Sequence, residues 1–573
     1  MAAKYLLTDR KTIDTKIFAI TLPNLQEYFT TEDYKMSTPI RSIPLAQTTD
    51  MFGAPATGIT DNAYQRAKQV FDKLVEARGD YRYPAPDFVL LDREESVAFM
   101  NYDLLQVQLE QKAYKVCEAF GDPALAFLLG HELTHYYEKH GWRRGFASEY
   151  SDLPIGIQIK GMLDKVANET EADYLGGFLA YSAGYGIFDK GAELMQQLYE
   201  AYNMRDENVM ANGYPSLADR QEISRRTKQK LEELVEVFEL ANLLNAIGSF
   251  DEAYEYYLYV VMRYQSREIY NNMGVARALR ALGLFDESEI IYHYPIQLDL
   301  QSTGGSRSME GEPDRNELLR QALVHFDAAI SLDSGYAPAY LNKACVLALL
   351  GDPVRARFYA EVEARSRALE NAKYAKTAVD ADILIGILEA KSGNTAAAKK
   401  LFETAATTNK SPLAAVNLKI LNGDTWEPER TEITGAFDEE AIDGLEFIFV
   451  AYPTDSDGPA YDPDRSIELT NGRAFHQNPA PGPNSKIYMS KGTGDNPVLT
   501  IFQLTTNAAY EGKTARGIAL GDDRAKIVSA YGEPRRTVET PMGDIMVYKK
   551  LKIIFIISGQ DKKLVRWINY TTR

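Results

Sequence analysis

The chain has 573 residues with 63 basic and 81 acidic side chains, for a formal charge of −18. At roughly 150 residues per domain this length points to about four domains. Apolar residues make up 45% and charged residues 25%, the range of globular proteins, which excludes wholesale disorder. The acidic balance excludes nucleic acid as a main partner, because counterion release needs clustered Lys and Arg. It equally excludes docking on anionic lipid through a basic patch.

No apolar run approaches the length of about 18 residues that argues for a membrane span; the best, Ile553 to Ser558, is far shorter. Met1 to Lys11 lacks the charged, apolar and cleavage regions of a signal peptide in order. Cys117 and Cys345 match no metal or redox spacing and require no disulfide. The most informative count is histidine: there are six, and three of them (His131, His135, His140) fall within ten residues.

In chain order, residues 1–60 show no sustained period and read as an irregular lead-in. Asp61 to Arg78 carries Ala67, Val70, Phe71, Leu74 and Val75 at helical spacing, which predicts an amphipathic helix. Pro86 to Asp92 and the stretch Gln106 to Cys117 read as short strands, with Lys115, Val116 and Cys117 expected to form an edge strand that could align an extended substrate. Gly121-Asp122-Pro123 then opens a helix, with Asp122 as the expected cap and Pro123 in the first turn.

That helix carries His131-Glu132-Leu133-Thr134-His135, an HExxH motif. At 3.6 residues per turn the two histidines stack on one face and can take two adjacent zinc positions, while Glu132 is placed to deprotonate an attacking water. With six histidines in 573 residues, chance would produce on the order of 0.005 such matches. A catalytic zinc needs a third protein ligand and an open position. On a continued helix His140 falls about 140° around from His135, off the ligand face, so a carboxylate is the better third ligand. The segment NETEADYLGGFLAY, starting at Asn168, offers Glu169 and Asp173 on one helix face, with Gly176 and Gly177 permitting close helix packing. Glu169 is assigned as ligand and Asp173 as the acceptor that fixes the tautomer of a ligand histidine. Glu171 is the competing ligand, although it points elsewhere on the helix and would leave Asp173 without a role.

Residues 232–425 are Ala- and Leu-rich and self-similar. NAIGSFDEAYEYY recurs as RALGLFDESEIIY, LALLGDPVRARFY and EAKSGNTAAAKKLF, with turn glycines at 248, 283, 351 and 393. Their spacings of 35, 68 and 42 residues, 68 being twice 34, resemble tetratricopeptide repeats. A linker-like insertion near 299–315 interrupts the array. Residues 431–573 consist of short β-like runs separated by Gly, Pro, Asn and Asp, with one helix within Gly517 to Pro534; they read as a binding or assembly module.

HELTH followed 34 residues later by ETEAD resembles the zinc metallopeptidase family that contains the CAAX prenyl protease, HtpX and the periplasmic protease BepA. The stretch PDFVLLDREESVAFMN is similar to the strand region before the active helix of that family, and BepA-like members also join the peptidase to tetratricopeptide repeats. The resemblance implies one zinc per chain, held by His131, His135 and Glu169, with Glu132 as general base and Asp173 behind a ligand. It differs in having no membrane-spanning segment. Where the family has His-Pro followed by Arg, this chain has Tyr214-Pro215 and Arg220, so Tyr214 is the expected electrophilic partner of the oxyanion.

The fold class expected is multidomain α+β. A mainly helical zincin-type peptidase domain spans 61–230, an α-solenoid of repeats follows, and a small β-rich module closes the chain. The expected function is zinc-dependent hydrolysis of peptide or unfolded protein in quality control, with a protein partner on the repeat groove. The alternative is a repeat-based adaptor or chaperone with a latent peptidase domain. The resemblance implies the bacterial periplasm or envelope, with the cytoplasm as the alternative.

Overall fold

The computed structural model describes residues 61–141, 165–207, 216–296 and 314–424, apart from a few single positions, and most of 439–572. The lead-in of residues 1–60, the bulk of the insertion and Tyr214 lie outside the described residues. The architecture is multidomain α+β, mostly helical, with a separate β-rich C-terminal region. No helix among the described residues is long and apolar enough to cross a membrane. Two compact units are present: residues up to Glu236 together with Met262–Ser266, and Val237–Val261 together with Arg267 onward.

In the first unit, α1 (Asp61–Arg78) buries Ala67, Val70, Phe71 and Leu74, the face set by their helical spacing. A three-stranded sheet follows, in which β3 (Gln106–Glu110) is central. β1 (Asp87–Leu91) pairs with it in parallel and β2 (Ala98–Asn101) antiparallel. The strand reading of Lys115, Val116 and Cys117 is overturned: the chain turns at Glu110 into α2 (Gln111–Glu118). Glu110 is fully buried, and its carboxylate accepts from the backbone N–H groups of Glu95 and Ser96, which ends the ladder. Ala113, Tyr114 and Cys117 then form a buried stripe with helical spacing.

The helix α3 (Asp122–Tyr137) starts where glycine and proline predict, but the capping position is Gly121, at φ +86°. Asp122 lies inside the first turn, and its carboxylate accepts from Arg66 Nε at 2.7 Å instead of capping. Against α3 packs α4 (Lys165–Ser182), followed by α5 (Gly191–Ala201) and α6 (Leu217–Ile247). The α3–α4 crossing is a backbone contact: a Cβ on Gly130 would meet the Gly176 carbonyl oxygen at 2.6 Å, and one on Gly176 would meet the His131 nitrogen at 2.6 Å. Gly177 in turn accommodates Leu231, whose methyl would lie 2.8 Å from an added Cβ.

In the second unit, helical hairpins follow one another: the end of α6 with α7 (Phe250–Val261), and α8 (Arg267–Leu282) with α9 (Arg315–Leu332). Next come α10 (Ala337–Leu349), α11 (Pro353–Phe358), and a π-helical stretch Tyr359–Arg365 that runs on into α12 (Ser366–Glu370). The array ends with α13 (Ala375–Lys391), α14 (Thr395–Thr407) and α15 (Pro412–Leu421). After the Gly283 turn none of the described residues from Asp286 to Tyr292 is helical, so RALGLFDESEIIY does not show a second helix there. The helix that packs on α8 comes after the insertion, as α9. Among the described residues the 68-residue spacing therefore holds one hairpin, α8 with α9, rather than two. The hairpins share a packing rule: Gly274 of α8 faces the Phe326 ring of α9, and Gly386 of α13 faces the Phe402 ring of α14, each leaving no room for a Cβ.

In the C-terminal region β4 (Ala441–Ile442) and β5 (Leu445–Glu446) form a two-stranded antiparallel pair, and an eight-stranded antiparallel sheet is formed by β6 (Ser466–Glu468), β7 (Ala474–Asn478), β8 (Ser485–Lys491), β9 (Leu499–Thr505), β10 (Arg536–Thr540), β11 (Gly543–Tyr548), β12 (Ile553–Ser558) and β13 (Leu564–Thr572). Their spatial order is β10-β11-β12-β13-β9-β8-β7-β6. The expected helix is α16 (Arg524–Tyr531), whose Ile527 and Tyr531 pack on Phe555 and Trp567. Hydrogen bonds join sheet and helices within this unit: Tyr256 donates to Ser490 Oγ at 3.0 Å, Tyr488 to Glu239 at 2.8 Å, and Arg536 to the Asn245 carbonyl at 2.7 Å.

Replacing Gly176 by Ala forces α3 and α4 apart. The expected loss of stability is about 1–3 kcal/mol by chemical denaturation, the range for overpacking a tight core; an unchanged midpoint would show that the backbone contact is not a constraint.

Candidate metal centre

The site is assembled where α3 and α4 cross. HExxH places His131 and His135 one turn apart, and the Gly130–Gly176 contact lowers α4 onto them until its carboxylates reach the imidazoles. The donor atoms of His131, His135 and Glu169 all lie within 4.8 Å of one another, a group that could hold a metal ion. The two Nε2 atoms are 3.0 Å apart, and Glu169 oxygens stand 3.4 Å from His131 Nε2 and 3.6 Å from His135 Nε2. Ligands in a tetrahedral zinc site, at bonds of about 2.0–2.1 Å, are separated by about 3.3 Å. The donor set fits.

Hydrogen bonds behind the donors decide which nitrogens face inward. His131 Nδ1 is 2.7 Å from Asp173 Oδ1, and a carboxylate can only accept, so the proton sits on Nδ1 and the Nε2 lone pair points into the site. His135 Nδ1 is 2.7 Å from His140 Nδ1, and His140 Nε2 is 3.0 Å from Glu171 Oε2. Glu171 accepts from His140 Nε2–H, leaving His140 Nδ1 to accept from His135 Nδ1–H. Two imidazole lone pairs and a carboxylate therefore converge on one point, an arrangement that calls for a cation.

Without metal that demand is met by protons. Burial disfavours a charged His131, yet Asp173 and Glu169 outweigh it and raise its pKa to about 10. Burial and the neighbouring His131 lower that of His135. Glu169 is held well below the usual carboxylate range: burial opposes this, but His131 and Arg220 prevail. Glu132 lies on the same helix, 7% exposed, and burial pushes it up to about 7 despite the pull of His131 and a hydrogen bond from the Met100 backbone. A carboxyl titrating near neutrality is suited to taking and returning a proton.

Glu169, Asp173, His131, His135 and Glu132 thus come together, whereas Tyr214 lies outside the described residues. Glu171 turns to His140 and away from the donor cluster. Three groups not anticipated as parts of the site complete it. Arg220 of α6 is partly buried and donates to Glu169 Oε2 at 2.8 Å, orienting that carboxylate. Its place after Tyr214-Pro215 was the only signal in the sequence. His140 is buried behind His135, a position that no continuous helix predicts. Tyr102, beyond β2, donates to the His135 carbonyl at 2.8 Å and accepts from Gly141 N–H at 3.0 Å, tying down the end of α3.

Comparison with protein-family models finds none that matches this chain, and comparison with curated proteins finds no similar sequence. The chemical reading therefore rests on the geometry.

Exchanging Asp173 for Asn removes the charge behind His131. Competition with a chromophoric chelator is expected to show metal affinity reduced by roughly 10–100-fold, the usual cost of losing such a partner. Glu169→Ala, which removes a donor, should be more damaging than Asp173→Asn; equal or smaller loss would remove Glu169 from the donor set.

Proposed function

We propose that this protein is a zinc-dependent endopeptidase acting on peptides or unfolded proteins, of the HtpX, BepA and CAAX prenyl protease type. The observation that carries the reading is the convergence of His131, His135 and Glu169 on one point with the Glu132 carboxyl buried beside them. Nitrogen and carboxylate donors in this number suit zinc and leave a coordination position open. A zinc ion held by His131, His135 and Glu169 would supply a Lewis acid and an activated water.

The chain's own residues do the rest. Glu132 accepts a proton from the attacking water at its carboxylate and returns it to the leaving amine nitrogen. Its burial keeps bulk water away from that exchange. Asp173 holds His131 in the ligating tautomer, and Arg220 holds Glu169. Among the described residues β2 is an edge strand of its sheet, which supports a way to align substrate: Met100 reaches Glu132 through its backbone, so an extended peptide added to this edge would pass beside the catalytic carboxyl. This replaces the role first expected of Lys115–Cys117. Tyr214 retains its proposed place as oxyanion partner by its position in the sequence alone.

The recurrent Gly–Phe contacts of Gly274 with Phe326 and Gly386 with Phe402 support reading the helical hairpins as tetratricopeptide-like repeats that recruit substrate or a protein partner. The proposed setting is protein quality control in a bacterial periplasm or envelope.

The test is a casein digestion assay run with zinc analysis. Glu132→Gln is expected to keep its zinc and lose cleavage by at least about 10³-fold, and a chelator should abolish wild-type cleavage. Zinc bound without turnover of any unfolded substrate would overturn the peptidase and favour the adaptor.

A further inference from the structure

The residue that makes the metal centre depart furthest from its motif is His140. It lies five positions beyond His135, and a continued helix would carry it to another face. The helix stops instead. Glu138 has left regular helical geometry, and Lys139 adopts φ +57°, a left-handed conformation uncommon outside glycine. This turn folds His140 back beneath His135. The return is locked from a second side: a Cβ on Gly141 would lie 2.3 Å from the Tyr102 ring, and the Tyr102 hydroxyl bridges Gly141 N–H and the His135 carbonyl. His140 is only 1% exposed, so its imidazole is held within the fold.

On this geometry, and on the reading of the site as a metal centre, we infer that His140 is a positioning residue for metal binding. It accepts from His135 Nδ1–H while donating to Glu171, and so fixes the plane and tautomer of His135 with Nε2 turned to the metal. The centre then has two supports of different kinds. His131 rests directly on the Asp173 carboxylate, whereas His135 rests on a carboxylate one imidazole removed. Lone-pair direction at His135 depends on a strained turn, on Gly141 and on Glu171 together. A strained non-glycine turn at such a point is where a fold spends stability on geometry. The role assigned to Glu171 also accounts for its place in ETEAD two residues from the ligand yet off the ligand face: Glu169 and Asp173 serve His131 and the donor cluster, and Glu171 serves the second histidine.

The test compares zinc affinity, by chelator competition, with the thermal stability of the metal-free chain. His140→Phe keeps the buried ring and removes the hydrogen bonds; it is expected to weaken zinc binding by roughly 10–100-fold with little change in the metal-free melting temperature. His140→Gln can accept from His135 and donate to Glu171, and is expected to restore most of that loss, a rescue that packing alone would not produce. Should His140→Phe fail to fold, Glu171→Leu carries the same comparison at a residue that contacts His140 and is not itself a metal donor. Wild-type affinity in His140→Phe, or in Glu171→Leu, overturns the inference, provided His135→Ala abolishes binding. A wild-type chain without zinc affinity overturns the metal centre and this inference together.

Discussion

The approach of two backbones at Gly130 and Gly176 is the constraint on which the rest of the first unit depends. Each glycine lies against the other's main chain, and neither position has room for a methyl group. Gly130 immediately precedes His131, so the closest point of the α3–α4 crossing falls beside the first histidine of the motif. At an ordinary interaxial distance of about 8–10 Å, the short side chain of Asp173 would have to span a wider gap to reach an imidazole. The small residues thus set the distance at which side chains of two helices can act as one site.

That proximity concentrates charge. Asp173, Glu169 and Glu132 stand near two histidines and one arginine, Arg220, with Asp173, Glu132 and His131 themselves buried. Buried charge is costly unless it is paired: a protonated His131 faces Asp173 and Glu169, Arg220 also faces Glu169, and a metal ion held by His131, His135 and Glu169 would take the place of the proton. Burial of Glu132 beside these groups brings its pKa up to about 7. Metal binding and proton transfer, as proposed, are two results of one electrostatic condition.

The second unit shows the same use of small residues for another purpose. Gly274 and Gly386 admit phenylalanine rings from the following helices, and alanines such as Ala322, Ala344 and Ala398 fill the shared core. Because each hairpin is stabilised by its neighbours, extra sequence between α8 and α9 is tolerated: each doubling of the connection adds only about 0.6 kcal/mol of closure entropy. The first hairpin also contributes Glu239, Asn245 and Tyr256 to the eight-stranded sheet, so sheet and array share one compact unit.

Local chemistry was legible in the sequence wherever a period or a motif is local. The helix at Asp61–Arg78, the HExxH pair on α3, the Glu169–Asp173 pair on α4 and the close-packing glycines all follow from spacings of three and four residues, which a helix turns into faces by geometry alone. The sequence misled where a pattern continues but the backbone does not. Gln106 to Cys117 reads as a single strand until buried Glu110 ends the ladder, and RALGLFDESEIIY reads as a hairpin although its second helix forms only after the insertion. His140 is the clearest case: its angle around α3 would hold only on a continuing helix, and this one stops at Tyr137. What the sequence by itself determined was which residues share a helix face. What only the tertiary structure decided was which faces meet, and which side chains a broken helix returns to the site, because those depend on contacts between segments that no local period records.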